Sequence, residues 1–195
     1  WGDGAAIPHD RQVLTAYAAA RIPANEQFVG DAAPLIASML TAGLDLDAAR
    51  WRTIVDEGDA GWAMLAVGLP EWDGAVSGNA IDEFRDNDGS AGQARTGLLV
   101  ASLAGLGRIS SGTRNSWDRE LDLGLSRETR WSAMIDRAAE VENAALVAFL
   151  MGLGMQGDDW NRMTPRHLYH IISALRRSGL EAEARMIAAE AIARG

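Results

Sequence analysis

Two short segments place acidic side chains beside a tryptophan. Clefts that bind or cleave sugars use this combination, because two carboxylates serve as acid and base across the bond while an indole stacks on the sugar ring. The simpler interpretation, which we favour, is that the carboxylates cap helices and each indole closes the end of a helical hairpin. The two segments define one candidate rim for a ligand or partner, formed by Glu71, Trp72, Asp73, Asp158, Asp159 and Trp160.

A second candidate is the pair His167 and His170, whose H-x-x-H spacing on a helix can chelate a metal. The apolar stripe of that helix is centred on Leu168 and Ile172, which puts His167 at its edge and His170 on the opposite, exposed face. Neighbouring arginines also disfavour a bound cation. We therefore expect a surface role for these histidines and no metal site.

Other catalytic motifs are incomplete. The segment DNDGSAG (86–92) does not fit a calcium loop, because Gly89 at the sixth position would put Phe84 and Arg95 at the first and twelfth positions. We interpret it as a polar turn and a possible hinge. The segment GLGRISSG (105–112) lacks the glycine spacing of a dinucleotide site. We expect no catalytic residue, no cofactor and no metal, which favours a protein that is not an enzyme.

Composition excludes further classes of chemistry. The chain has no cysteine, so thiolate nucleophiles and thiolate zinc sites are excluded. All 18 basic residues are arginine, which excludes Schiff-base lysines and the lysine of a P-loop. The net charge is −9 and the arginines are scattered along the sequence, so we predict no binding to nucleic acid or anionic lipid.

The longest apolar stretch covers about a dozen residues, near 144–155, whereas a membrane helix needs about 20. We therefore expect a soluble protein. A bias toward Ala, Arg and Gly is typical of GC-rich bacterial genomes, so we expect it in the bacterial cytoplasm or periplasm. The sequence begins at Trp1 rather than at methionine, so we interpret it as a domain or processed fragment of a larger protein.

Helical periodicity dominates the chain, and alternating β-branched residues are missing. The clearest case is the C-terminal hairpin 164–194, in which Thr164 is the N-cap, Pro165 the first helical residue and Gly179 the stop signal. We predict an all-α fold with helices near 10–20, 31–42, 45–57, 59–68, 77–86, 90–106, 114–123, 127–139, 141–153, 164–178 and 180–194.

The segments RWRTIVD (50–56) and RWSAMID (130–136) share a frame of residue types that places an apolar stripe on one helical face. We interpret Trp51 and Trp131 as core anchors. Each frame precedes a helix that is apolar on nearly all sides and should be enclosed by other helices, at 59–69 and at 142–153.

This near-repeat, 45–107 and 127–180, predicts a single domain over residues 1–195 made of stacked antiparallel αα-hairpins. The stack would form an irregular superhelix or arc, with the hairpin 164–194 as its cap. The polar outer face of the last helix suits that capping role.

The function that this architecture favours is a non-catalytic interaction or scaffold module. A concave, acidic surface would bind a basic or neutral segment of another polypeptide. The alternative is a carbohydrate-binding or carbohydrate-active domain that uses the acid-tryptophan segments. A third possibility is the structural part of an enzyme whose chemistry lies upstream of Trp1. Exposure of Trp72 or Trp160 in an open cleft beside a carboxylate would favour the glycan hypothesis.

Overall fold

The structure is a computed structural model that describes residues 9–157 and 160–195. Within these ranges the regular structure is entirely helical, which confirms the predicted all-α class. In the described part of the chain, 3₁₀ helices span Glu26–Asp31, Arg50–Thr53, Ala91–Gln93 and Trp160–Arg162. The α-helices are α1 (His9–Ala19), α2 (Ala32–Thr41), α3 (Asp45–Ala49), α4 (Ala60–Gly68), α5 (Gly78–Asp86), α6 (Ala94–Leu106), α7 (Ser111–Glu120), α8 (Arg130–Glu140), α9 (Ala144–Gly154), α10 (Pro165–Arg177) and α11 (Glu181–Arg194).

Local signals set most of the helix boundaries. The predicted hairpin of α10 and α11 is confirmed: the Thr164 side chain accepts a hydrogen bond from the His167 amide, Pro165 is the first helical residue, and Gly179 takes a left-handed φ of 79°. Hydroxyl or amide side chains that accept from the first turn also cap other helices, at Ser77, Ser110, Thr129 and Asn143.

The C-terminal hairpin lies in the middle of the helical assembly. Helix α10 packs against α6, α8, α9 and α11, and α11 packs against α2, α4 and α6 as well. In a stacked repeat each hairpin contacts its neighbours in sequence. Because α11 instead contacts helices from the first third of the chain, a repeat or superhelical arrangement is not confirmed. None of the described helices has the length and apolar character needed to cross a membrane.

The two Arg-Trp frames adopt different backbones. Trp51 lies in the 3₁₀ helix that follows α3 and is fully buried, so the helix predicted over 45–57 is interrupted. Trp131 lies in the first turn of α8, is half-buried, and donates from Nε1 to the Leu150 carbonyl at 3.0 Å. Both indoles contribute to the hydrophobic core, but at positions that are not structurally equivalent.

The two apolar helices also differ. Every residue of α4 from Gly61 to Gly68 is buried, as predicted for an enclosed helix. The same prediction is wrong for α9, in which Val147 and Leu150 are the buried residues. Helix α9 packs on α8 and α10, and no other part of the described chain covers its opposite face, so most of its apolar side chains remain exposed.

The enclosed end of α4 depends on arginines from distant positions. Leu69 precedes Pro70 and is extended, so the helix stops there and its last carbonyls need donors. The guanidinium of Arg108 donates to the carbonyls of Ala66, at 2.6 Å, and Leu69, and Arg185 Nε donates to the carbonyl of Gly68 at 3.1 Å. These carbonyls at the buried end of α4 thereby have hydrogen-bond donors from the protein itself and need no water.

Burial and, to a smaller extent, the charge of Arg185 lower the pKa of Arg108 to about 10, while Glu181 opposes that shift. Arg108 therefore remains charged at neutral pH. Its backbone carbonyl also accepts from the Val76 amide at 2.8 Å, which ties the segment after α4 to the end of α6. One residue thus joins three parts of the chain.

Other helix ends are closed in the same way. Arg176 Nε donates to the Gly105 carbonyl at the end of α6, Arg95 donates to Gly195 after α11, and Arg50 donates to Ala20 after α1. A guanidinium carries five N–H donors in a planar fork, so it can serve several carbonyls at once. Arginine therefore closes these helix ends better than lysine would, because the lysine ammonium group has fewer donors and no planar fork.

The polar segment 86–92 begins with the end of α5 and leads into α6. Asp88 accepts from the Ser90 amide at 2.9 Å, from the Thr96 amide at 2.8 Å and from the Thr96 hydroxyl at 2.7 Å. Partial burial raises the pKa of Asp88, but these hydrogen bonds outweigh burial and hold the pKa below its usual value. The segment is a polar turn, as predicted, and it is fixed by this carboxylate.

We predict that Arg108→Met lowers the free energy of unfolding by about 2–4 kcal/mol, because two buried carbonyls lose their donor. Urea denaturation measures the change. Arg119→Met is the matched control, since Arg119 is exposed and bonds only within its own helix; we expect a change below about 0.5 kcal/mol there. Equal effects of the two substitutions would contradict the role of Arg108.

We predict that Asp88→Asn lowers the free energy of unfolding by about 1–2 kcal/mol at pH 7. The folded pKa of Asp88 lies below its unfolded value of about 3.9, so its contribution is complete above that pH and is lost as the pH falls through the folded pKa. The difference from the wild type should therefore shrink below about pH 4. Denaturation curves between pH 2.5 and pH 7 test this, with the exposed Asp86→Asn as control.

Candidate functional site

A cleft with a volume of about 760 Å³ is lined by described residues. It opens where the C-terminal ends of α9 and α11 meet the N-terminal end of α10 and the 3₁₀ helix Trp160–Arg162. A volume of this size is typical of ligand sites. Its lining includes Met155, Trp160, Arg162, Arg166, His167 and Arg194.

Local structure positions these side chains. Trp160 and Arg162 lie on the short 3₁₀ helix, and Arg166 and His167 lie in the first turn of α10, whose start is fixed by the Thr164 cap. Arg194 comes from the last turn of α11 and forms an ion pair with Glu190 at 2.5 Å. The cleft therefore combines residues from two parts of the chain, between the end of α9 and the first turn of α10 and at the end of α11.

The cleft is basic although the protein is acidic. Residues 160–195 contain six arginines and three glutamates, whereas the whole chain has a net charge of −9. Among the described residues, the side chains of Arg162 and Arg166 form no ion pair or hydrogen bond. The arginines that are scattered in the sequence are thus partly collected at one site, where two guanidinium groups remain available to a ligand.

His167 forms part of the cleft wall. Its ring stacks on Trp131 with centroids 3.8 Å apart, and Nε2 lies 3.1 Å from the Gly154 carbonyl. Burial lowers the pKa of His167, electrostatic repulsion from the neighbouring His170 and Arg166 acts in the same direction, and the hydrogen bond to the Gly154 carbonyl opposes them. At neutral pH the ring is therefore uncharged, and its Nε2–H donates to the Gly154 carbonyl.

Gly154 allows this wall to form. A Cβ at Gly154 would lie 2.5 Å from a Trp131 ring carbon and 2.7 Å from His167 Nε2. Both distances are shorter than a van der Waals contact, so a side chain at this position would clash with both rings. The end of α9 can therefore approach the stacked rings only where no side chain is present.

His170 was expected on the surface, and that prediction is wrong. It is buried, and its Nδ1 lies 2.7 Å from Asp136 Oδ2, while Arg177 donates to the other oxygen of Asp136 at 2.5 Å. The face that seemed exposed on the helical wheel is covered by α8. His167 and His170 therefore have separate partners, and no group of three metal-ligating side chains occurs in the described part of the chain.

The first acid-tryptophan segment is a packed loop. Trp72 is half-buried, meets Trp62 edge-on at 6.5 Å, and carries the Arg52 guanidinium 4.6 Å from its ring centroid. Arg52 also pairs with the exposed Asp73 at 3.0 Å, and Glu71 is exposed. These contacts hold Trp72 against the fold.

Of the second segment, Trp160 lines the large cleft, whereas Asp158 and Asp159 lie outside the described residues. None of the described residues around Trp160 is among those around Trp72. The structure therefore does not bring the described members of the predicted rim into one site.

The arginines of the cleft were not among the candidate residues. The one signal that could have indicated them is the excess of arginine over acidic residues after position 159. Within the described residues the cleft contains one carboxylate, that of Glu190, and it pairs with Arg194. This arrangement is suited to binding an anion more than to acid–base chemistry by paired carboxylates.

An apolar surface adjoins the cleft. Five large apolar side chains of α8, α9 and the turn between them are exposed by 42–67% of their area. We call this surface the hairpin face, and it comprises Met134, Val141, Leu146, Phe149 and Leu153. Helix α9 ends at Gly154, which is itself part of the cleft, so the two surfaces are continuous along α9.

Comparison with known proteins gives no relative: no family model matches the chain, and no curated protein or solved structure matches it significantly. The function must therefore be argued from the two surfaces themselves.

We predict that Gly154→Ala disrupts the stack of Trp131 on His167 and lowers the free energy of unfolding by about 1–3 kcal/mol. Near-ultraviolet circular dichroism and urea denaturation measure the two effects. Gly152→Ala is the control, because a Cβ there meets nothing within 4 Å. We expect that control to be neutral or to stabilise α9 by up to about 1 kcal/mol. If the two variants behave alike, the close approach at Gly154 is not a constraint.

Proposed function

We propose that this protein is a non-catalytic helical interaction domain that binds an amphipathic helix of another polypeptide on the hairpin face. The observation that carries the proposal is α9, an uncharged helix that leaves one side uncovered. Single exposed apolar residues are ordinary in soluble proteins, but a contiguous group on one surface is typical of an interaction site.

The spacing of the exposed residues fits a helical partner. Leu146, Phe149 and Leu153 lie at i, i+3 and i+7, so they form one stripe along α9. Exposed small residues lie beside this stripe, at Ala145, Ala148 and Gly152. An apolar stripe flanked by small residues allows the axis of a second helix to come close, as in helix-in-groove recognition.

The charges at the two ends of the hairpin define the partner further. Helices α8 and α9 are antiparallel, so the exposed Arg130 at the start of α8 lies at the same end as Gly154 and Arg166. The exposed Glu142 lies at the opposite end, in the turn between the helices. A matching helix would place acidic residues toward Arg130 and Arg166 and a basic residue toward Glu142.

We predict that a photo-cross-linking residue at position 149 captures a polypeptide and that Phe149→Asp with Leu153→Asp weakens binding of the purified captured protein at least tenfold. Phe149 is 67% exposed and Leu153 is 47% exposed, so folding should be little affected. Calorimetric titration of the purified pair measures the affinity, and circular dichroism checks the fold.

The matched control is Leu14→Asp with Tyr17→Asp, because these residues of α1 are also an aliphatic and an aromatic side chain and are 81% and 74% exposed. Affinity should be unchanged in that control. Equal losses in both variants, or no loss in either, would contradict the proposed site. Cross-linking only to a second copy of the chain would show that the hairpin face is a self-association surface, and the proposal of a different partner would then be wrong.

Binding of a carbohydrate is a second candidate, favoured by one observation: Trp160 lines an open cleft. Trp72, in contrast, is packed under Arg52 and against Trp62. Glycan binding that is lost in Trp160→Phe and retained in Trp72→Phe would support this alternative over the helical partner.

A further inference from the structure

The cleft at the start of α10 has ligand-binding features that the hairpin face does not use. Arg162 is exposed and Arg166 is half-exposed, and neither side chain has an ion-pair or hydrogen-bond partner among the described residues. Elsewhere in the structure many guanidinium groups bond to carbonyls or carboxylates, including Arg108, Arg176, Arg177 and Arg185. Arg162 and Arg166 thus bring two unpaired guanidinium groups to one cleft.

A guanidinium group binds carboxylates and phosphates well, because its N–H donors match two oxygens of the anion. Glu190 lines the cleft, but its charge is balanced by the ion pair with Arg194. The choice between these anions depends on hydration instead, because a phosphate monoester carries about 1.5 to 2 negative charges at neutral pH and a carboxylate carries one. The phosphate therefore loses more hydration free energy beside the apolar side chains of the cleft, which favours the carboxylate.

Part of the remaining wall of the cleft is apolar. Trp160, Met155 and Met163 line it, and the uncharged His167 lies beside them. An indole offers a flat face for stacking, and methionine side chains adapt to irregular apolar shapes. A ligand that fills this cleft should therefore carry an apolar body as well as its charge.

We propose that the cleft binds a monocarboxylate with an aromatic or similarly apolar body. Arg162 and Arg166 donate hydrogen bonds to the carboxylate, and Trp160 with the two methionines contacts the body. The carboxylate belongs either to a small organic acid or to the C-terminal residue of a peptide. This inference does not require that the hairpin face bind a helix.

The first experiment titrates the full chain with 3-phenylpropionate and follows the arginine Nε–Hε signals by NMR at constant ionic strength. We expect saturable shifts of the signals of Arg162 and Arg166, with a dissociation constant in the millimolar range or below. The uncharged amide of the same acid should bind at least tenfold more weakly. Absence of saturable shifts at Arg162 and Arg166, or equal binding of acid and amide, would overturn the proposal.

Variants locate the site. Arg162→Gln with Arg166→Gln should weaken binding of 3-phenylpropionate at least tenfold, whereas Arg114→Gln with Arg119→Gln, at a half-exposed and an exposed position of α7, should not change it. Trp160→Phe should weaken binding severalfold while retaining the preference for the acid over its amide. Unchanged affinity in the first variant would place the bound acid elsewhere and refute the assignment.

Two further probes test the class and the source of the anion. Inorganic phosphate should not compete with 3-phenylpropionate at equal concentration, and competition of equal strength would contradict the preference for a carboxylate. The tripeptide Ala-Ala-Phe is compared with its C-terminal amide. Tighter binding of the tripeptide than of 3-phenylpropionate assigns the cleft to peptide C-termini, and weaker binding assigns it to small acids. A failure of helix binding at position 149 would leave all of these outcomes unchanged.

Discussion

The hydrogen bonds from Arg108 to the end of α4 are the constraint on which the arrangement of the other helices depends. Helix α4 is enclosed on all sides, so water cannot satisfy the carbonyls that its last turn leaves free. Arg108 reaches them from the end of α6, and Arg185 reaches them from α11. The burial of α4 therefore requires that the end of α6 and the C-terminal hairpin be in place, which couples distant parts of the chain.

Helix α10 occupies the centre of the remaining structure. One side packs on α6, and a second side is covered by α8, where Asp136 bonds to the buried His170. The N-terminal end of α10 lies at the surface and forms one wall of the cleft. The protein therefore has two neighbouring surfaces, the apolar hairpin face on α8 and α9 and the basic cleft. The basic cleft contrasts with the net charge of the whole chain, which is −9.

These surfaces have complementary physical properties. The hairpin face offers apolar area without charge, which favours association through burial and gives little selectivity by itself. The cleft offers two unpaired guanidinium groups, which select for an anion. An acidic protein repels anions at long range, so a carboxylate ligand would reach the cleft against the overall field and be held there by short-range contacts. This combination is typical of binding that depends on close fit more than on electrostatic attraction at a distance.

The sequence by itself determined the helices and most of their ends, because periodicity and capping act within a few residues. Thr164, Pro165 and Gly179 are examples: each acts on its own backbone, so the hairpin of α10 and α11 could be predicted. Tertiary structure alone decided which helical faces are covered. The sequence pattern of α9 does not show that one side lacks a neighbour, and the helical wheel of α10 does not show that α8 covers His170. The cleft could not be predicted for the same reason, since Arg162 and Arg194 meet only when α11 returns to the start of α10.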